Sequence, residues 1–366
     1  MRGVAVLGST GSIGVATLEV LRRHAAEFQV VALTAGANQE LLRRQAAEFR
    51  PRFVGLVQGG GDGPECLIEA ATHPDADIVV NAVVGFAGLD ATLAALRLGK
   101  RVALANKESL VAGGDLVLAA AREGGGELIP VDSEHSAVFQ CLAGHGGVPI
   151  RLVLTASGGP FREWGPERVA AATVEQALRH PTWRMGTKIT VDSATLANKA
   201  LEVIEAHHLF GLPYDRIEVV VHPQSVIHAM VEFEDRSILA QLSQPSMELP
   251  ILYALSHPRR LSDAAMPRLD LLALGSLTFE PVRHEVFPAL GCGVSAGRRG
   301  GTGPAVFNAA NEVAVAAFLA GGAPFGRIAE VVSQVCAAHA IEPVSSVETV
   351  RAADRWARHH TEGLLR

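Results

Sequence analysis

The segment "GVAVLGSTGSIGVATLEVLRRH", residues 3–24, decides the fold. A β-branched apolar run is followed by Gly8, Gly11 and Gly14, and then by apolar residues at helical spacing. That order predicts a strand, a tight turn and a helix, the opening of a βαβ unit. Glycine in such a turn lets backbone N–H groups approach a phosphate, and the helix N-terminus adds a favourable field. The spacing is G-x-x-G-x-x-G and not G-x-G-x-x-G, so the placement between strand and helix carries more weight than the pattern. Dinucleotide binding is the expectation; a purely structural turn is the alternative.

Outward from this segment the alternation continues. "FQVVALTAG" (28–36), "RFVGLVQ" (52–58), "DIVVNAVVG" (77–85) and "RVALAN" (101–106) predict strands, with helices through "NQELLRRQAAEF" (38–49) and "LDATLAALRLG" (89–99). Apolar strands alternating with amphipathic helices predict a parallel sheet covered on both faces, a Rossmann-like doubly wound α/β domain over 1–131. The end of the second strand, "TAGAN", has no acid for a ribose 2′-hydroxyl, which favours NADPH over NADH. Arg43 and Arg44, one turn further on, are placed to meet a 2′-phosphate or to form a solvated helix face.

Beyond residue 131 the pattern changes. "IRLVLTASGGPFREW" (150–164) predicts a strand and a turn, and residues 179–212 a loop, a short strand and a long helix. "RIEVVVHPQSVIHAMVEFEDRSILAQLS" (216–243) predicts antiparallel strands turning near Asp235, with His222 and His228 on one face of a strand. This is an α+β catalytic and dimerisation domain over 132–256, followed by a linker over 257–280 and a C-terminal helical domain over 281–366. Asn308, Asn311 and Glu312 are expected on the polar side of a helix, and Arg298 and Arg299 in a flexible loop.

A chain of 366 residues with 48% hydrophobic and 19% charged residues is globular. The net charge of −6 gives no reason to expect nucleic acid as a partner. No apolar run is long enough for a membrane span, and the N-terminus enters a strand without a signal-peptide core, so a cytoplasmic protein is expected. Cys66, Cys141, Cys292 and Cys336 lack metal-ligand spacing and are expected as reduced thiols.

Two groups of polar residues stand out. "PVDSEHSAVFQ" (130–140) places Asp132 and Glu134 either side of Ser133, and alternation would put both acids on one face of a strand end. Asn106, Lys107 and Glu108 fall where the fifth strand gives way to a helix, at the end of the sheet where ligands bind, although Asn106 and Glu108 also suit helix capping. In the second region Ser157, His180, Ser193, Asn198, Lys199 and Glu202 are groups able to clamp a sugar phosphate. A merely solvated helix is the alternative for Asn198, Lys199 and Glu202. Glu202 would add a third carboxylate to Asp132 and Glu134, a hard-oxygen set for Mg or Mn. The adjacent pair His207 and His208 points apart on a helix and reads as packing.

Taken in order, "LGSTGSIG" (7–14), "LANKESLV" (104–111), "PVDSEHSA" (130–137), "SGGPFR" (157–162), "HPTWRMG" (180–186), "KITVDSAT" (188–195), "HPQSVIH" (222–228) and "NAANEVAV" (308–315) resemble the 1-deoxy-D-xylulose 5-phosphate reductoisomerase family. The resemblance implies NADPH- and divalent-metal-dependent isomerisation and reduction of that sugar phosphate to 2-C-methyl-D-erythritol 4-phosphate, in non-mevalonate isoprenoid biosynthesis. It implies cofactor contacts at Thr10, Gly11, Ser12, Ile13, Gly36, Asn38, Asn106, Glu108 and Gly186. It places one divalent cation (Mg, Mn or Co) on Asp132, Glu134 and Glu202, and substrate on Lys107, Ser133, Glu134, Ser157, His180, Ser193, Asn198, Lys199 and Glu202. Glu134, Lys107 and His180 are its catalytic candidates, Trp183 and Met185 a closing flap, His228 a neighbour of the site, and a homodimer the expected assembly. Ala37 departs from the basic or amide side chain of many members. A metal-free dehydrogenase shares the glycine loop and strand pattern and would lose nothing to a chelator; a nucleotide-sensing regulator would bind NADPH without turnover and leave the second polar group without a use.

Overall fold

The computed structural model describes residues 1–144 and 147–366. Its elements run β1 (Arg2–Leu7), α1 (Ser12–Arg23), β2 (Phe28–Ala35), α2 (Gln39–Phe49), β3 (Phe53–Leu56), α3 (Glu65–Thr72), β4 (Ile78–Asn81), α4 (Leu89–Arg97), β5 (Arg101–Leu104), α5 (Lys107–Gly124), β6 (Glu127–Pro130) and α6 (Ser133–Leu142). There follow β7 (Pro149–Ala156), α7 (Pro166–Ala170), α8 (Val174–Ala177), α9 (Thr187–Thr195), α10 (Ala197–Phe210), β8 (Ile217–Val221), β9 (Ile227–Phe233) and β10 (Ile238–Leu242). The chain closes with α11 (Glu248–Ser256), α12 (Leu271–Leu274), α13 (Pro288–Arg299), α14 (Gly303–Leu319), α15 (Phe325–Ala338) and α16 (Val347–Leu365).

The described residues form two compact units: 1–110, 114–136 and 246–267 in the first, and 111–113, 137–245 and 268–366 in the second. The first holds a six-stranded sheet in the order β3-β2-β1-β4-β5-β6, parallel throughout. Val4, Ala5, Val6 and Leu7 of β1 and Ile78, Val79 and Val80 of β4 are inaccessible to solvent, as befits central strands covered on both faces. The strand order reverses between β1 and β4, so the glycine turn after β1 opens at the switch point of the sheet. The α3 helix, unforeseen between the third and fourth strands, buries Cys66, Leu67, Ala70 and Ala71. Residues 246–267, split at sequence level between the catalytic segment and the linker, belong to this unit. Here α11 packs on α1, β5 and β6, and Arg23 pairs with Asp263 at 2.8 Å and with Glu248 at 2.6 Å.

The second unit holds a mixed sheet, β10-β9-β7-β8. The β9–β10 pair is an antiparallel hairpin with Arg236 at φ 70°, as expected near Asp235. The β8 strand departs from the antiparallel expectation: it pairs with β7 in parallel. His222 and His228 are therefore not on one strand, since β8 ends at Val221 and β9 begins at Ile227, with Ser225 at φ 52° in the turn between.

One face of this sheet packs Leu152, Leu154, Ile217, Ala229 and Val231 against Val203 and Ala206 of α10. A larger core joins Val191 and Ala194 of α9 and Ala197, Leu201 and Ile204 of α10 to Phe307, Ala310, Val331 and Val335 of the C-terminal helices. That core accounts for two further corrections. "KITVDS", rich in β-branched residues, is the helix α9 and not a strand, because packing of Val191 overrides local propensity. Asn308 and Asn311 are each 1% exposed and not on a solvated face. Arg298 and Arg299 form the last turn of α13 instead of a loop, with Arg299 donating to the carbonyls of Cys336 at 2.7 Å and His339 at 3.1 Å.

Candidate active site

In the first unit the turn after β1 is built by two constrained glycines. Gly8 adopts φ 80°, and a Cβ there would meet the Ala82 carbonyl oxygen at 2.6 Å. A Cβ on Gly14 would lie 2.3 Å from the Gly8 carbonyl oxygen, so only glycine lets α1 begin this close to the turn. Gly11 is the N-cap of α1, and the N–H groups of the first turn, Ser12 and Ile13 among them, have no side-chain cap. Ser9 locks the turn to α2: its hydroxyl donates to Gln45 at 2.7 Å, and the Gln45 amide donates back to the Ser9 carbonyl at 2.9 Å. Gly36 ends β2 with open space where a Cβ would be, and Asn38 caps α2 by accepting from Leu41 N–H at 3.1 Å.

Asn106 is 1% exposed and has a structural task. Its amide donates to the Val83 and Gly85 carbonyls, both at 2.8 Å, and to Glu108 at 3.0 Å, while its oxygen caps α5 through Ser109 N–H at 3.2 Å. The next residue, Lys107, forms an ion pair with Asp132. The strand-end alternation proposed for Asp132 and Glu134 does not occur: β6 stops at Pro130, and Ser133 and Glu134 open α6. In place of alternation, the helical turn brings His135 Nδ1 to 3.1 Å from the Asp132 carboxylate. Burial would raise the Asp132 carboxyl, but the Lys107 ammonium and His135 outweigh it and hold it well below the usual range. Ser133 donates to Glu134. His135 is a functional neighbour not expected from the sequence motifs, and its three-residue offset from Asp132 is the signal that a helical reading of the segment would have used.

In the second unit Ser157, His180 and Ser193, separated in sequence, come together. His180 Nε2 lies 3.0 Å from Ser157 Oγ and 3.1 Å from Ser193 Oγ. Its Nδ1 accepts two backbone N–H groups, from Thr182 at 3.1 Å and Trp183 at 2.9 Å. An atom that accepts carries no proton, so the neutral ring is the Nε2–H tautomer. Burial pulls the imidazole down to about 4, which keeps it neutral at physiological pH. Trp183 sits 6.2 Å from the His228 ring, and His228 Nε2 is 2.9 Å from Ser243 Oγ.

Leu196, at φ 60°, breaks the chain between α9 and α10 and turns the second helix so that Asn198, Lys199 and Glu202 share one environment. Asn198 and Lys199 both donate to Glu202, and Lys199 donates also to the Thr155 carbonyl. Lys199 and Glu202 are 3% and 1% exposed, a buried pair and not the solvated helix face that was the alternative. Gly186, the N-cap of α9, belongs to this unit, whereas the other cofactor candidates belong to the first. His207 stacks on Tyr214 at 4.4 Å and bonds the Leu212 carbonyl, a packing role.

The family models that match this chain all describe one family. Residues 4–60 and 61–114 match the model for 1-deoxy-D-xylulose 5-phosphate reductoisomerase, 128–210 the model for its C-terminal domain, and 242–360 the DXP reductoisomerase C-terminal domain. The reductoisomerase of Symbiobacterium thermophilum is 52% identical over 98% of this chain and 97% of its own. That of Synechococcus sp. strain JA-2-3B'a(2-13) is 50% identical over 100% of this chain and 97% of its own. Among solved structures, the Zymomonas mobilis enzyme in complex with NADPH superposes with a TM-score of 0.92 at 44% identity, covering 100% of this chain and 99% of the other. A reductoisomerase in complex with NADPH, fosmidomycin and magnesium superposes with a TM-score of 0.95 at 39% identity, covering 100% and 98%.

Proposed function

Because the chain belongs to the 1-deoxy-D-xylulose 5-phosphate reductoisomerase family, we propose that it converts 1-deoxy-D-xylulose 5-phosphate to 2-C-methyl-D-erythritol 4-phosphate, using NADPH and one divalent cation, in non-mevalonate isoprenoid biosynthesis. One observation carries the proposal: the Asp132 and Glu202 carboxylates, largely withdrawn from water, are each held by a lysine, in a chain that also has a dinucleotide turn at the switch point of a parallel sheet. Burying such charges costs free energy that pairing only partly offsets, so stability alone does not account for them.

The donor chemistry fits the cation. Asp132, Glu134 and Glu202 each offer a carboxylate oxygen, the hard donors that Mg, Mn or Co accepts alongside substrate oxygens and water. The constrained Gly8 and Gly14 and the uncapped start of α1 fit a pyrophosphate, with Thr10, Gly11, Ser12 and Ile13 supplying the turn, Gly36 and Asn38 the adenosine end, and Gly186 a further contact. When bound, the cation supplies Lewis-acid polarisation of the sugar's oxygens and NADPH supplies the hydride. The protein's residues do the rest. Ser157, Ser193, Asn198 and Lys199 hold the phosphate, with His180 donating from Nε2. Lys107 and Ser133 orient the sugar's hydroxyls, and Glu134 takes the hydroxyl proton besides serving as ligand. Trp183 and Met185, in the loop that His180 organises, close over the substrate and exclude water.

We propose further that residues 1–131, with 246–267 packed on them, bind the nucleotide, that 132–245 carry catalysis and dimerisation, that 268–280 link, and that 281–366 support the site. A homodimer acting in the cytoplasm is part of the same proposal. In its support, no helix among the described residues is long and apolar enough to cross a membrane, and the four cysteines are free thiols, as a reducing compartment keeps them.

NADPH oxidation followed with 1-deoxy-D-xylulose 5-phosphate, with and without Mn and with a chelator, tests the function. Oxidation that requires both the sugar phosphate and the metal is expected. Turnover indifferent to the chelator would point to a metal-free dehydrogenase, and NADPH binding without turnover to a regulatory protein.

A further inference from the structure

The C-terminal helices reach the proposed phosphate-binding residues through one buried polar link that the family resemblance does not assign. Asp192, on α9, is 1% exposed, and its carboxylate accepts from the Asn311 amide at 2.7 Å and from the Lys188 ammonium at 3.0 Å. Asn311, on α14, is itself 1% exposed. A carboxylate only accepts, so the amide must turn its NH2 toward Asp192. That choice leaves Asn311 Oδ1 buried with no protein partner. Buried polar atoms are normally paired, and leucine would fill this position in an apolar core without that penalty. The amide is retained for what it does to Asp192.

Ser193 is the next residue along α9, about 100° further round the helix. Its Oγ lies 3.1 Å from His180 Nε2, and its carbonyl is so close to the Ser157 turn that a Cβ on Gly159 would meet it at 2.9 Å. The α9 helix is only nine residues long, and its last residue is followed by the left-handed Leu196. A helix so short has little register stability of its own. A buried bond from the interior of the seventeen-residue α14 supplies it.

We propose that Asn311, acting through Asp192, is a positioning residue: it sets the rotation of α9 and so aims the Ser193 hydroxyl at the phosphate of the substrate. This rests on the reading of Ser193 as a phosphate ligand given above.

The test uses the full chain with Mn, NADPH and 1-deoxy-D-xylulose 5-phosphate. Asn311→Leu is expected to raise KM for the sugar phosphate by roughly tenfold while KM for NADPH and kcat stay within about threefold of the parent. The exchange variant, Asp192→Asn with Asn311→Asp, keeps one donor and one acceptor across the same gap, and it is expected to restore the sugar-phosphate KM. An Asn311→Leu protein with unchanged KM overturns the inference. So does one whose kcat and both KM values worsen together with a lowered melting temperature that the exchange fails to repair, since that is a merely structural role. If Asn311→Leu does not fold, the exchange variant decides alone: a parental KM supports the link and a raised one ends it. A parent that does not oxidise NADPH with the sugar phosphate would overturn the functional reading and this inference together; an active parent with an indifferent Asn311→Leu variant overturns only the inference.

Discussion

His180 Nδ1 accepts the backbone N–H of Trp183 at 2.9 Å, so the imidazole organises the loop that carries this tryptophan while its other nitrogen faces Ser157 and Ser193. One ring thus couples loop conformation to the polar pocket, and it does so only when Nδ1 is unprotonated.

The pH dependence follows from that bond. Burial depresses His180 to about 4, below the value of about 6.5 for an unfolded histidine. Between those values the unfolded chain binds the extra proton, so this contribution to stability is complete above about pH 6.5 and is lost as the pH falls towards 4. Melting curves between pH 7 and 4.5 are expected to fall more steeply for the parent than for His180→Gln. Parallel curves would contradict the assignment, as would a nitrogen NMR spectrum at neutral pH showing the Nδ1–H tautomer.

The nucleotide turn distinguishes its glycines. Gly14→Ala forces a Cβ to 2.3 Å from the Gly8 carbonyl oxygen, whereas the nearest atom to a Cβ on Gly11 is at 3.4 Å. Gly14→Ala is expected to lose about 1–3 kcal/mol by overpacking and to weaken NADPH binding, with Gly11→Ala much milder. Fluorescence titration with NADPH and thermal melting of both variants check this; equal losses would show that contact distance is not the determinant.

For the cation, Asp132→Asn and Glu202→Gln each remove the charge of one proposed ligand and are expected to raise the Mn concentration for half-maximal turnover by roughly tenfold or more. Glu134→Gln separates ligand from base: if Mn still binds, as electron paramagnetic resonance would report, turnover should nevertheless collapse. Full turnover in that variant would leave Glu134 as a ligand only.

The buried pair Lys199 and Glu202 makes a double-mutant test. Lys199→Met removes the counter-charge of the Glu202 carboxylate, which is 1% exposed and keeps the neutral Asn198 amide as a donor, and is expected to cost about 3–5 kcal/mol in urea unfolding. Adding Glu202→Leu removes the stranded charge and should recover most of that stability without recovering activity. Additive losses would mean that the two residues are not coupled in the fold.

Much of the architecture was legible along the chain because it is local. The β-branched runs and helical periodicities of residues 1–131 announce a parallel sheet, and Gly8, Gly11 and Gly14 announce the tight turn into α1, since strand, turn and helix are contiguous there. The motifs also marked the polar residues Asp132, Glu134, Ser157, His180, Ser193, Lys199 and Glu202. What they could not convey was the company each keeps. "KITVDS" looks like a strand until Val191 meets the C-terminal core, and Asn311 looks solvated until Asp192 is found 2.7 Å away across 119 residues of sequence. The His180 tautomer, the partnering of Asp132 by Lys107 and His135, and the burial of Lys199 with Glu202 likewise depend on contacts between segments far apart or on a helical turn that alternation misread. Sequence by itself determined the strand and helix alternation of residues 1–131, apart from α3, and the chemistry available, because propensity and periodicity act over a few residues. Tertiary structure alone decided protonation, pairing and orientation, because desolvation and hydrogen bonding depend on which distant groups share a buried space.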